Sequence, residues 1–264
     1  MKTGGPEAAR ERVAAWRAHA AAVYGSGLWA LPEGARVEDE VPYDALGWPA
    51  GSVPGHQNVL RLAAVPVAGG RELRLALACG RPHRYEGWSD DELETPVRAL
   101  AAAGVSRLVL TNSCGALRPA AGVGRAVVCS SVVDLQRPPA GDEPERLAVC
   151  DDDEAVRVAV ALGDAAAPGA GAYVSVCGPQ FETPAEVEWL GRFGDVVGMS
   201  AAPEARAAVA TGVECCLLAL VANVAAAVDS HEDVLAAGGR LAELLAASLA
   251  QAVTARWPDL LTTF

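Results

Sequence analysis

The feature that most constrains this chain is a series of short, mainly apolar runs that do not alternate with polar residues. Residues 73–79 (LRLALAC), 107–111 (RLVLT), 125–133 (RAVVCSSVV), 172–177 (AYVSVC), 195–199 (DVVGM) and 214–223 (ECCLLALVAN) are built largely from Val, Leu, Ala and Cys. A strand wetted on one face alternates apolar and polar side chains, whereas a strand covered on both faces reads as a continuous apolar run. Helical stretches lie between these runs. Ser89 caps a helix over 90–103 that stops at Gly104, and residues 152–163 predict another. Thr183-Pro184-Ala185-Glu186 combines a capping Thr, a Pro at the first helical position and a capping-box Glu. A further helix starts near Pro203. The last one, over 231–257 and capped by Ser230, carries Leu241, Leu244, Leu245, Leu249 and Val253 at helical spacing. Doubly covered strands alternating with helices place the chain in the α/β class. No repeat or linker divides it, so the expectation is one domain over residues 1–264.

The remaining segments read less regularly. Residues 6–23 predict a helix, broken by Gly25 to Gly27; residues 32–58 and 136–145 predict loops, the former with short strands. A hydrophobic fraction of 52% supports a substantial core, while the formal net charge of -12 argues against nucleic acid or an anionic membrane as the main partner. An anionic ligand would need positive charge gathered at one local site. The 7 cysteines form no CxxC pair and mostly sit inside apolar runs, which points to reduced thiols in a cytoplasmic protein. The histidines (His19, His56, His83, His231) show no HExxH or Cys/His spacing, so no metal site is expected. No secretory signal and no membrane-length apolar span are visible.

In sheets of this class, ligands bind where loops leave the carboxyl ends of the strands. Polar residues cluster at those points. Arg81, His83, Tyr85 and Glu86 follow 73–79; Asn112, Ser113 and Gly115 follow 107–111. Gly178, Phe181 and Glu182 follow 172–177, Ser200 follows 195–199, and Asn223 closes 214–223. Taken singly, each cluster has an ordinary reading. GSGL at 25–28 is either an anion-binding loop or a plain turn. VPGH at 53–56 suits a turn with a surface histidine, and GRPHRYEG a solvated loop. Met199 suits the core, and His231 the first turn of a helix. Asn223 must find partners if buried, and a structural hydrogen bond would suffice. Glu182 stands out because the neighbouring capping box already uses Glu186.

In order along the chain, GSGL, VPGH, GRPHRYEG, TNSCGAL, GPQFETPAE, VVGMSAAPE, VAN and SHEDVLAAG resemble the motifs of the trimeric purine nucleoside phosphorylases, from residue 25 to about 238. The resemblance implies a central mixed, partly barrel-like β-sheet flanked by helices. It also implies phosphorolysis of a purine nucleoside to free base and ribose 1-phosphate, and a homotrimer. Ser26, Arg81, His83 and Ser200 would bind phosphate, with the backbone near Ser113. Tyr85 and Met199 would contact the ribose, His56 would lie near the phosphate entrance and His231 near the 5′-hydroxyl. Phe181 would pack on the base, and Glu182 and Asn223 would hydrogen-bond it. The catalytic set implied is thus Asn223, His83 and Glu182. Inorganic phosphate is a co-substrate, and no other cofactor is implied.

The chemistry suits that assignment. Breaking the glycosidic bond leaves positive charge on the sugar and negative charge on the base. Phosphate stabilises the first and a donor from Asn223 the second; positioning and electrostatics suffice without a metal or covalent nucleophile. Asn rather than Asp at 223 favours 6-oxopurines such as inosine and guanosine. The chain also departs from the family. Residues 134–155 form a shorter segment, with no aromatic between Trp88 and Tyr173, which predicts a more open ribose pocket. AHAAAVY is a poor version of the strand before GSGL; Ala222 and Ala116 replace the usual Thr and Gly, and the loop before His231 is short. Two other readings compete: a phosphorylase for methylthioadenosine or another 5′-modified nucleoside, and a non-catalytic nucleoside-binding paralogue.

Overall fold

The computed structural model describes residues 5–25, 30–139, 141, 143–227 and 231–262, and for 231–238 the backbone alone. Ser26 and Ser230 therefore lie outside the described residues.

The first departure from the sequence expectation comes at the N-terminus. Helix α1 (Pro6–Ala15) does not run on to residue 23. Arg17 takes a left-handed φ of 50°, and the chain re-enters as strand β1 (Ala20–Tyr24). Alanine is a weak strand former in isolation, but strand preference is decided by the surface it packs on. β1 lies in the middle of the sheet, parallel to β4 (Arg71–Cys79) on one side and to β5 (Arg107–Ala116) on the other. Both of its faces are buried: Ala21 and Val23 join one core, and Ala20, Ala22 and Tyr24 the other.

The stretch expected as loops with short strands holds such a strand, β2 (Arg36–Pro42), and a single turn, α2 (Tyr43–Leu46). β3 (Val59–Val67), absent from the sequence expectation, forms an antiparallel hairpin with β4 and pairs with β2. The capped helix α3 (Asp90–Ala102) comes next, with the Ser89–Glu92 capping box in place. β5 runs five residues beyond the expected 107–111, through a stretch with the composition of a turn. Then come β6 (Ala126–Asp134), the short β7 (Glu145–Ala148), α4 (Asp152–Leu162) and β8 (Gly171–Ser175). The chain ends with α5 (Pro184–Leu190), β9 (Val196–Gly198), α6 (Ala202–Thr211), β10 (Glu214–Val224) and α7 (His231–Arg256).

The sheet order is β10-β6-β8-β9-β5-β1-β4-β3-β2, with β7 on β6. β10 also pairs with β5, so β5, β10, β6, β8 and β9 close on themselves as a small barrel, and β1, β4, β3 and β2 extend from it as an open sheet. The mixed, partly barrel-like sheet implied by the resemblance is thus present. Closure places the carboxyl half of β5 between the parallel β10 and the antiparallel β9, with Gly115 opposite both Asn223 and Val197.

A charged cluster ties the helices to the barrel. Arg206 on α6 is 7% exposed and pairs with Asp134 at the end of β6, with Glu94 (3.1 Å) and with Asp90 (2.8 Å), both on α3. Asp90 also takes Arg84 and Arg137. The pairing is needed, since an ion out of water without a partner is strongly unfavourable. Replacing Arg206 by Met would leave Asp134 buried without a paired cation, while Glu94 would keep only Arg98 and Arg137. The expected loss is ~3–5 kcal/mol of stability, read as a lower midpoint of urea unfolding. An unchanged midpoint would mean the cluster contributes nothing.

Candidate active site

The chain leaves β4 at Cys79 and turns sharply inward, so that Arg81 is only 2% exposed. Its guanidinium is held on three sides. Nη1 donates to Ser200 Oγ (3.0 Å) and Nη2 to the carbonyl of Val23 in β1 (3.4 Å). Nε lies 2.8 Å from Glu204 Oε1, a charge pair whose angle does not complete a hydrogen bond. Ser200 closes the β9–α6 turn, and Glu204 stands in the first turn of α6, where a carboxylate also suits the helix dipole. Glu204 is a site residue that sequence reasoning missed. Its signal was weak, since a Glu at that position of a helix looks like ordinary end chemistry.

His83 begins a short 3₁₀ turn over residues 84–86. The carboxylate of Glu86 accepts from the His83 amide (2.6 Å) and lies 3.3 Å from its Nδ1. It also accepts from the Ser52 amide (2.5 Å) and hydroxyl (2.8 Å). Burial alone would raise the Glu86 carboxyl. The donors from His83 and Ser52 overcome that and bring it down to about 2, so Glu86 stays ionised and orients the imidazole. Tyr85 stacks on His83 at 4.9 Å between ring centroids, and His56 tilts against it at 5.3 Å. Burial and the nearby Glu86 push the Tyr85 phenol up to about 12, so it remains a neutral donor.

On the barrel side, β10 carries a bulge: Val221 faces Cys114 of β5, but Asn223 faces Gly115, leaving Ala222 as the extra residue. Bulges re-aim side chains at the rims of barrels. Here the bulge brings Asn223 to the strand end, half-buried, with Nδ2 donating to the Val224 carbonyl (2.9 Å). Gly178, at φ 70°, lets the segment after β8 pass close to Met199; a Cβ there would lie 2.3 Å from the methionine Sδ. That close approach delivers Phe181 and Glu182. Burial raises the Glu182 carboxyl above the usual range, and the nearby Glu186 adds to the effect.

These groups share one cavity of about 310 Å³, the size of a small-ligand site. Arg81, His83, Tyr85, Ser113, Phe181, Glu182, Met199, Ser200 and Asn223 all line it. His56 does not line it but stands behind His83, with its Nδ1 accepting from the Arg81 amide (3.3 Å). Ser26 lies outside the described residues. His231 opens α7, and its side chain is likewise outside them. No cluster of His, Cys, Asp or Glu suited to a metal occurs among the described residues.

The chain matches the sequence profile of the phosphorylase superfamily over residues 48–254. It is 36% identical over 241 residues to a purine nucleoside phosphorylase of Mycobacterium tuberculosis, covering 89% of this chain and 84% of that protein. It is also 36% identical over 239 residues to one of Cellulomonas sp, covering 86% of this chain and 84% of that protein. It belongs to the purine nucleoside phosphorylase family. A Schistosoma purine nucleoside phosphorylase in complex with hypoxanthine superposes with a TM-score of 0.72 at 28% identity, over 93% of this chain and 96% of that one.

One further residue of this family member stands out. Asn112, on β5, is 2% exposed and lines the cavity, yet neither its Oδ1 nor its Nδ2 has a hydrogen-bond partner among the described residues. The sequence pattern places it at a strand end and gives it no role. A buried amide left unpaired costs about 1–3 kcal/mol, a cost that a ligand pairing with it would recover. Asn112→Leu, similar in volume and apolar, should therefore keep or raise the ligand-free melting temperature. Affinity for inorganic phosphate or hypoxanthine should fall about tenfold, measured by calorimetry. A protein that melts lower with undiminished ligand affinity would make Asn112 purely structural.

Proposed function

We propose that this protein catalyses the phosphorolysis of purine nucleosides, 6-oxopurines such as inosine and guanosine foremost, giving free base and ribose 1-phosphate. The observation that carries this reading is the meeting of two chemistries in one cavity. A buried arginine is hydrogen-bonded to Ser200 beside an imidazole held by a carboxylate, and an aromatic ring, a raised carboxyl and a carboxamide line the same space. The first set suits a small dianion, and the second the face and edge of a purine. The hypoxanthine carried by the Schistosoma relative is itself a 6-oxopurine.

In this reading Arg81, Ser200 and His83 hold phosphate, with Ser113 and Ser26 adding donors and His56 near the entrance. A phosphate oxygen forms its bond to C1′ as the C1′–N9 bond breaks, and that electron pair passes to the purine. Asn223 donates toward N7 and the 6-oxygen, stabilising the charge as it develops. Glu182, ionised, accepts from N1–H, and the base leaves after taking up a proton. Phe181 and Met199 pack against base and ribose, Tyr85 donates to the ribose, and His231 serves the 5′-hydroxyl. Phosphate is the co-substrate, and the chemistry asks for no further cofactor. We further read the protein as one domain over residues 1–264, cytoplasmic and homotrimeric. The exposed Trp189 on α5, edge-on to Phe193 at 4.8 Å, supports self-association beside the Phe181–Glu182 segment. No helix among the described residues is long and apolar enough to cross a membrane.

A second reading, a preference for nucleosides altered at the 5′ position, is supported by one observation. Gln136 donates to Ser175 and Val176, and Arg137 to Asp90, so the short segment after β6 is fastened to β8 and α3. Among the described residues, none between 116 and 178 lines the cavity. A panel of inosine, guanosine, adenosine, methylthioadenosine and 5′-modified nucleosides, assayed for phosphate-dependent base release, decides between them. Release from inosine and guanosine supports the first reading, and release from 5′-altered nucleosides alone the second. No release at any phosphate concentration would leave a binding paralogue.

Two outcomes are expected of the base-binding groups. Asn223→Ala should lower kcat by ~10²–10³-fold, the scale of losing one donor to a developing negative charge, with the melting temperature nearly unchanged. For Glu182 the sign is set by which form binds. The carboxylate accepts N1–H, and its pKa is raised, so kcat/KM for inosine should fall on the acid side at a pH above the usual carboxylate range. Glu182→Gln should remove that acid limb and lower kcat/KM throughout. An unchanged acid limb in the variant would assign the titration to another group.

A further inference from the structure

The loop over residues 51–58 touches both phosphate-site groups on the β4 side, Arg81 and His83, yet it has little buried surface of its own. Ser52, Pro54, Gly55 and Gln57 are exposed, and only Gly51 is buried. Segments with few buried contacts open at low free-energy cost, so something local must hold this one.

That something is the side chain of Asn58. Its Oδ1 accepts from the Gly51 amide (3.1 Å), and its Nδ2 donates to the Gly51 carbonyl (2.8 Å). One carboxamide thus closes both ends of the loop through the backbone of a residue seven positions away. Asn58 is in turn fixed to the sheet. Its amide donates to the Cys79 carbonyl (2.8 Å), and its carbonyl accepts from the Tyr43 amide (2.9 Å). Its φ is 54°, a left-handed conformation that Asn tolerates better than most side chains.

The effects of this closure run outward. Gly51 is pressed against the Arg81 backbone, where a Cβ would lie 2.3 Å from the arginine carbonyl oxygen. The next residue, Ser52, supplies two of the donors that hold Glu86, and Glu86 holds His83. Farther along the loop, His56 accepts from the Arg81 amide and packs its ring on His83. Arg81 and His83 are therefore oriented partly from one side, by a loop whose two ends meet at one amide.

We propose that Asn58 is a positioning residue for phosphate, acting through Gly51, Ser52 and His56 on Arg81 and His83 without touching the ligand. The inference rests on the reading of this cavity as a phosphate site. It predicts a specific asymmetry: loosening the clamp weakens phosphate far more than the purine, whose contacts come from the segments after β8, β9 and β10.

The test separates the amide from the backbone conformation. Asn58→Gly keeps a left-handed turn free of strain and removes both side-chain bonds. Asn58→Asp keeps the acceptor for the Gly51 amide and removes the donor. Steady-state rates with phosphate and inosine each varied should show the phosphate KM rising about tenfold in Asn58→Gly, with the inosine KM within about twofold and Asn58→Asp in between. Direct titration of inorganic phosphate should show the same loss in affinity for Asn58→Gly. If the wild-type protein turns over inosine and Asn58→Gly keeps its phosphate KM, the clamp is only a turn residue and the functional reading stands. If the wild type releases no base but binds phosphate, and Asn58→Gly binds it more weakly, the functional reading fails and the clamp stands. Equal losses for phosphate and inosine, equal phosphate affinity in both proteins, or no phosphate binding by the wild type overturns the proposal.

Discussion

The buried guanidinium of Arg81 is the constraint on which the site depends. A charge almost wholly out of water needs compensation from every side, and the compensation here comes from separate parts of the chain. A carbonyl of β1, a hydroxyl from the β9–α6 turn and a carboxylate of α6 all converge on it. None of these elements can shift without leaving the ion partly unpaired, so Arg81 fixes the open half of the sheet against the barrel half. The backbone beside it bears a cost. Ala201, directly after Ser200, has a φ of 66° and is fully buried, a conformation worth ~1–3 kcal/mol of strain for a residue with a Cβ. That strain turns the chain sharply enough to start α6 with Ser200 at its mouth.

The closed barrel supplies the other half of the geometry. Because β10 pairs with both β5 and β6, the barrel closes, and the carboxyl half of β5 lies between β10 and the antiparallel β9. Residues far apart in sequence, Asn112, Glu182, Met199 and Asn223, meet in one cavity. The barrel strands are built largely from Val, Leu, Ala and Cys that are buried in the core. The polar groups sit at strand ends, where a bulge at Ala222 and the close approach at Gly178 aim them without disturbing the packing.

Much of this is legible in the sequence, and the failures have physical causes. The strands that read as continuous apolar runs are strands, because burial on both faces leaves a pattern that nothing else explains. The capped helices at Ser89 and Thr183 begin where their capping boxes place them. β1 reads as helix because Ala carries no strand signal of its own, and only the flanking β4 and β5 make it a strand. The carboxyl half of β5 reads as a turn because Asn, Ser and Gly favour turns locally; pairing to β10 overrides that preference. The strand-end clusters come together at one cavity because that rule depends on topology rather than on side chains. Glu204 and Asn112 escape notice for opposite reasons. The first looks like ordinary helix-end chemistry, and the second becomes conspicuous only when its burial and lack of partners are known.

The acidic balance of the chain and an anionic ligand are compatible for a reason of scale. Surface charges more than about 8 Å apart are largely screened at physiological ionic strength, so a net charge of -12 spread over the surface acts weakly on a small ion in a cleft. Arg81 is not screened in that way, because it is 2% exposed, and its field reaches the cavity through protein rather than water. Glu204 offsets part of that charge, yet one of its oxygens has no hydrogen-bond partner among the described residues and it stands on α6, whereas Ser200 lines the cavity. Pairing that keeps a buried cation stable without ligand also limits how tightly an anion binds. For an enzyme that must release a phosphorylated product, that limit is useful: binding stronger in the ground state than in the transition state would slow turnover rather than speed it.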